Sequence, residues 1–131
     1  MSKAIRWRQR FQNFERAVKD LEAAISVTKP SKLEKAGLVQ FFEMSMELAW
    51  KMLKDYLDDQ GKPLHSPKEI LKQAFQDEII EEGAVWLKAL EDRNLSSHLY
   101  DEAKASALDK DIRKLYFPQL KTLYVRFKKE I

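Results

Sequence analysis

Residues 32–59 read KLEKAGLVQFFEMSMELAWKMLKDYLDD, a pattern of one long helix that Gly61 and Pro63 bring to an end. At about 100° per residue, Phe41, Phe42, Ser45, Leu48, Ala49, Met52, Leu53 and Tyr56 fall on one broad apolar arc, with Trp50 near its edge. Gln40, Glu43, Glu47, Lys51 and Lys54 form the narrower polar stripe opposite. A helix this apolar packs against several neighbours or against another chain, which sets the expectation of a helical bundle.

On the N-terminal side, Trp7, Phe11, Phe14, Val18, Leu21 and Ile25 recur at spacings of four and three, the stripe of an amphipathic helix. It should stop near VTKPSK, residues 27–32, where Pro30 disfavours helix at the residue before it and Ser31 can cap the next helix. On the C-terminal side, Ser66, Pro67 and Glu69 are a strong helix start and predict a short helix to Phe75 or Gln76. A fourth helix runs through Trp86, Leu87 and Leu90. Ile112, Leu115, Tyr116, Leu120, Leu123 and Phe127 mark a long final helix, which Pro118 is expected to kink. No strand pattern competes. The predicted fold is all-α: an up-and-down, four-helix-bundle-like domain over residues 1–131, with three long helices and a helical insert at 66–93.

Composition agrees. The 131 residues contain 44% hydrophobic and 34% charged side chains with three Gly and four Pro, which suits a helix-rich globular chain. The absence of Cys excludes disulfides, thiolate zinc sites and cysteine nucleophiles, and with His65 and His98 alone an imidazole-rich metal site is not expected, nor any cofactor. The N-terminus lacks the apolar core of a signal peptide and no apolar run approaches membrane-spanning length, so a cytoplasmic location is expected. Charge is uneven: residues 1–30 hold seven basic and three acidic groups, residues 93–131 nine and five, and residues 31–92 eight and thirteen. If the terminal helices are neighbours, they offer a weakly basic face to RNA or an acidic protein; ordinary solvated helix faces explain the same pattern.

One cluster has side chains suited to chemistry. EDRNLSSHLY, residues 91–100, sets Arg93 and Asn94 ahead of His98 and Tyr100. Positions five apart lie roughly 140° apart on a continuous helix, so Arg93 and His98 converge if the helix breaks between them. Ser96 and Ser97 suit such a break and would cap the next helix, with Asp101 and Glu102 in its first turn. A histidine there can exchange protons with a 2′-hydroxyl or a leaving oxygen, Arg93 can stabilise charge on a phosphate, and Asn94 can orient either. On spacing alone the plainer reading weighs more: Arg93 serves the end of the fourth helix and His98 packs under a loop. Glu43 and Glu47, one turn apart, are read as a solvated stripe answered by Lys51 and Lys54 rather than an acid/base or metal pair. Trp7, Trp50 and Trp86 are read as core or interface residues rather than a base-stacking platform, and His65 as a surface-turn residue.

Three segments, GLVQFFEMSMELAWKMLKDYL (37–57), SPKEILKQAF (66–75) and VWLKALEDRNLSSHLYDE (85–102), resemble the nucleotidyltransferase substrate-binding protein family, part of the HEPN superfamily. The resemblance covers nearly the whole chain. It implies a helical homodimer that works beside a minimal nucleotidyltransferase, in one of two ways. The chain is then either the nucleotide- or substrate-binding subunit of that enzyme, or a metal-independent ribonuclease toxin. For the latter the resemblance implies Arg93 and His98 as the catalytic pair, Asn94 as the polar follower, and Tyr100 as the residue to which the partner attaches AMP.

Overall fold

The computed structural model describes residues 2–94 and 101–131. Helix α1 spans Lys3–Ile25, α2 Lys32–Asp59, α3 Pro67–Gln76, α4 Gly83–Arg93 and α5 Glu102–Asp111; α5 continues through a π turn, Ile112–Tyr116, into α6, Phe117–Lys128. Among the described residues every regular element is a helix. The three long rods and the short insert of α3 and α4 match the architecture expected from periodicity.

Local chemistry sets the boundaries. Ser31 and Glu34 form a reciprocal capping box at the start of α2, at 3.1 Å and 2.9 Å. At the other end Gly61 adopts φ 81°, and the Lys62 and Gly61 amides donate to the Leu57 and Asp58 carbonyls at 2.9 Å and 3.0 Å, closing a Schellman turn. Ser66 caps α3 by accepting from the Glu69 amide at 3.1 Å, although its hydroxyl, not its amide, meets the Glu69 carboxylate. Lys29, before Pro30, takes the left-handed conformation at φ 55° instead of an extended one.

Side-chain pairs give the directions. The start of α1 meets the end of α2 through Lys3–Asp58 at 3.5 Å and Arg10–Asp55 at 3.1 Å, so these helices are antiparallel. Lys121–Glu22 at 3.0 Å and Lys128–Glu15 at 2.9 Å run α6 antiparallel to α1. Between them the insert climbs back from Asp77, held by Lys62 at 2.8 Å, to Arg93 beside the middle of α2. The bundle is therefore up-down-up-down. Its core is continuous, and Trp7, Tyr56 and Phe127 close one end with edge-on contacts of 4.9–5.6 Å between ring centroids.

The expected kink at Pro118 takes the form of the π turn, in which the Phe117 amide reaches back five residues to the Ile112 carbonyl. Proline has no amide hydrogen and its ring collides with the carbonyl four residues earlier, so a widened turn relieves both. Leu115, expected on the apolar stripe, is exposed at 39% as a result, whereas Tyr116 is buried.

Candidate functional site

Helix α4 ends at Arg93, where a cation is favoured by the helix dipole, and Asn94 is its C-cap. The Arg93 guanidinium does more than serve that end. Its Nη2 donates to Oε2 of Glu47 on α2, and its Nη1 donates to Oδ1 of Asn94 at 3.0 Å. Nε is buried with no acceptor among the described residues. Each terminal nitrogen keeps a second N–H, so the group is fixed in orientation and still able to donate.

Glu47 is the centre of this arrangement. Oε1 pairs with Lys51 at 3.2 Å, and the Trp50 indole Nε1 donates to Oε2 at 3.2 Å. Burial raises the carboxyl pKa, but the hydrogen bonds from Lys51 and Trp50 and the charge of Arg93 outweigh it and hold the group below its ordinary range. Glu47 is therefore an anion that anchors Arg93. The expected solvated stripe holds only for its Lys51 contact, because the end of α4 comes in over Glu47. Nothing local in the sequence marks a pair separated by 46 positions.

A second tie fixes the same turn. The Tyr116 hydroxyl donates to Asp92, and its ring stacks on Phe42 with centroids 5.3 Å apart. Burial, then the hydrogen bond and charge of Asp92, push the phenol far above its usual pKa, so it stays a donor. Asp92 and Arg93, adjacent in sequence, are thus anchored to the π turn and to α2.

Beside the anchored arginine, α2, the start of α3 and α4 enclose an open cleft of about 470 Å³. Its lining includes Trp50, Lys68, Leu87, Leu90, Glu91 and Arg93. Trp7 and Trp86 are core residues as expected, but Trp50 is half-buried and lines this cleft. Position at the edge of the α2 arc was the available signal. His65 is exposed in its turn.

Of the candidate residues, the structure brings Arg93 and Asn94 into direct contact; His98 and Tyr100 lie outside the described residues, as do Ser96 and Ser97. Asp101, expected in a helical first turn with Glu102, is instead the N-cap of α5: in extended conformation it accepts from the Lys104 amide at 3.1 Å, and the helix begins at Glu102. The terminal helices α1 and α6 are neighbours, but Lys121 and Lys128 are answered by Glu22 and Glu15, which weakens the anticipated basic face. No helix among the described residues is long and apolar enough to cross a membrane.

Residues 9–129 match the model of a family described as nucleotidyltransferase substrate binding protein like. A probable ribonuclease HepT of Haemophilus influenzae is 36% identical over 80 residues, which is 56% of this chain and 53% of that protein, so the chain matches about half the length of that curated relative. A crystal structure of a Thermus thermophilus protein is similar over 86% of this chain and 97% of its own, with 28% identity and a TM-score of 0.79.

Proposed function

The chain belongs to the nucleotidyltransferase substrate binding protein like family, and on that premise we propose that it is the helical partner of a minimal nucleotidyltransferase and acts as a metal-independent ribonuclease. The observation that carries this reading is the anchored Arg93, clamped by Glu47 and Asn94 five positions before His98. His98 takes the proton from a ribose 2′-hydroxyl, the oxygen attacks the adjacent phosphorus, and the 5′-oxygen leaves with a proton. Arg93 donates to the phosphate oxygens, where charge accumulates. In a homodimer two such pairs face one cleft, so one histidine serves as base and the other as acid. AMP attached to Tyr100 by the partner adds bulk and negative charge where RNA must approach, and silences the site.

Purified protein is expected to cut RNA in the presence of EDTA, and His98→Ala to abolish cutting without changing the helical circular dichroism. No cleavage by unmodified wild type across a range of RNAs sinks the ribonuclease reading. With the partner enzyme and ATP, the mass is expected to rise by one or more AMP units, and Tyr100→Phe to prevent it. The second reading, a non-catalytic nucleotide- or substrate-binding subunit of the transferase, is favoured by the cleft beside Arg93.

A further inference from the structure

We propose that the cleft between α2, the start of α3 and α4 is a nucleotide subsite: the base lies against Trp50 and the apolar side chains Leu87 and Leu90, and the phosphate faces Lys68 and Arg93. The proposal rests on the reading of the protein as nucleotide-directed and assigns where one nucleotide unit sits. Three observations lead there. The cleft, at about 470 Å³, falls within the range of small-ligand sites and has mostly fixed walls, since Leu90 is buried and Leu87 and Trp50 pack on the core. Trp50 has its N–H committed to Glu47 at 3.2 Å, which orients the indole without a ligand, and an aromatic face is the surface on which any base stacks. The cations at the cleft differ in availability: Arg93 is fixed by Glu47 and Asn94, whereas Lys68 is exposed and forms no ion pair among the described residues. Of the two lining carboxylates, Glu47 is paired with Arg93 and Lys51, and Glu91 is exposed, where water and salt screen its charge.

The unit recognised is a nucleoside monophosphate, free or as one residue of an RNA, and titrations with AMP and with a short oligoadenylate separate these sources. Affinities are read by isothermal titration calorimetry, which works equally in variants that lack Trp50; in wild type, saturable quenching of tryptophan fluorescence also reports on Trp50, because Trp7 and Trp86 are buried. Trp50→Ala is expected to weaken AMP binding about tenfold or more, Trp50→Phe to retain most of it, and Lys68→Glu, at an exposed position, to weaken it severalfold. If the oligoadenylate shows the same losses, the subsite holds a residue of RNA; if only AMP binds, it holds a free nucleotide. The subsite is overturned if wild type binds neither, or if both affinities are unchanged in folded Trp50→Ala and Lys68→Glu. The ribonuclease reading fails separately: Trp50-dependent AMP binding with no RNA cleavage removes the catalysis and keeps the subsite. Cleavage lost in His98→Ala, with affinities indifferent to Trp50 and Lys68, does the reverse.

Discussion

Glu47 shows how one side chain links the fold to the candidate site. A carboxylate between α2 and α4 is kept ionised against partial burial because Lys51, Trp50 and Arg93 all address it, and in return it holds Arg93 against the end of α4. Removing its charge leaves Arg93 half-buried and facing the neutral oxygens of Asn94 and the new amide in place of an anion. Glu47→Gln is therefore expected to cost about 1 kcal/mol at neutral pH, since both partners are roughly 30% exposed and solvent screens the pair. The pH dependence follows from the lowered pKa. An unfolded glutamate titrates at about 4.3, the folded group lower, so the stabilisation is complete above the unfolded value and lost as pH falls through the folded one. Melting temperatures of wild type and Glu47→Gln should differ at pH 7 and converge as the pH falls through the folded pKa of Glu47; a constant gap would show that Glu47 acts through packing alone. Arg93 and Asn94 were legible as a cluster because they are adjacent. Glu47 was not, because a helix polar stripe looks the same whether it meets water or the end of another helix.

At the scale of elements, legibility followed the strength of local signals. The bounds of α2 and the start of α3 were readable since their stops and starts are side-chain and glycine chemistry: Ser31 with Glu34, Gly61, and Ser66 with Pro67. The π turn was only half readable. The buried positions 108, 112, 116 and 120 are spaced by four, and each such step walks about 40° around a regular helix; the wide turn absorbs that drift and keeps Tyr116 over Phe42. Pro118 signalled a disturbance but not its form. Asp101 was expected inside a first turn and is the N-cap of α5, because its short carboxylate side chain accepts from the amide three residues on. The end of α3 holds an element-scale prediction. Its Schellman turn places Glu78 at φ 61°, with the Ile79 and Glu78 amides donating to Ala74 and Phe75 at 2.8 Å and 3.0 Å. That position favours glycine, and the exposed Glu78 contributes its carbonyl, not its side chain, to Arg126 at 3.2 Å. Glu78→Gly is expected to stabilise the protein by about 1 kcal/mol. The urea midpoint should rise with an unchanged slope; a lower midpoint would mean that chain entropy outweighs the relieved strain.

For the whole molecule, the apolar arc of α2 is wider than the bundle can cover. Phe42, Ser45, Ala49, Met52 and Leu53 face the core, but Met46 and Leu57, on its far side, are buried as well, which rotates the covered face away from Phe41 and Leu48. Those two are only half-buried, and with Leu33 at 83% and Met44 at 41% exposure they line one side of the helix at spacings that return each turn. Gly37 lies in the same row, with open space where a Cβ would project. A row of apolar groups with a glycine within it suits close approach of a second helix. The homodimer proposed above would pair these rows across a twofold axis and set the two Arg93 ends in one assembly. Wild type is expected to sediment as a dimer at micromolar concentration. Met44→Glu, at an exposed position, should give a folded monomer, since two carboxylates would be buried across the axis without partners. Cleavage should fall with dimer content and return when the protein concentration drives the variant back together. A wild-type monomer that cleaves RNA at the same rate per chain would remove the shared cleft and leave each Arg93 and His98 pair to act within its own chain.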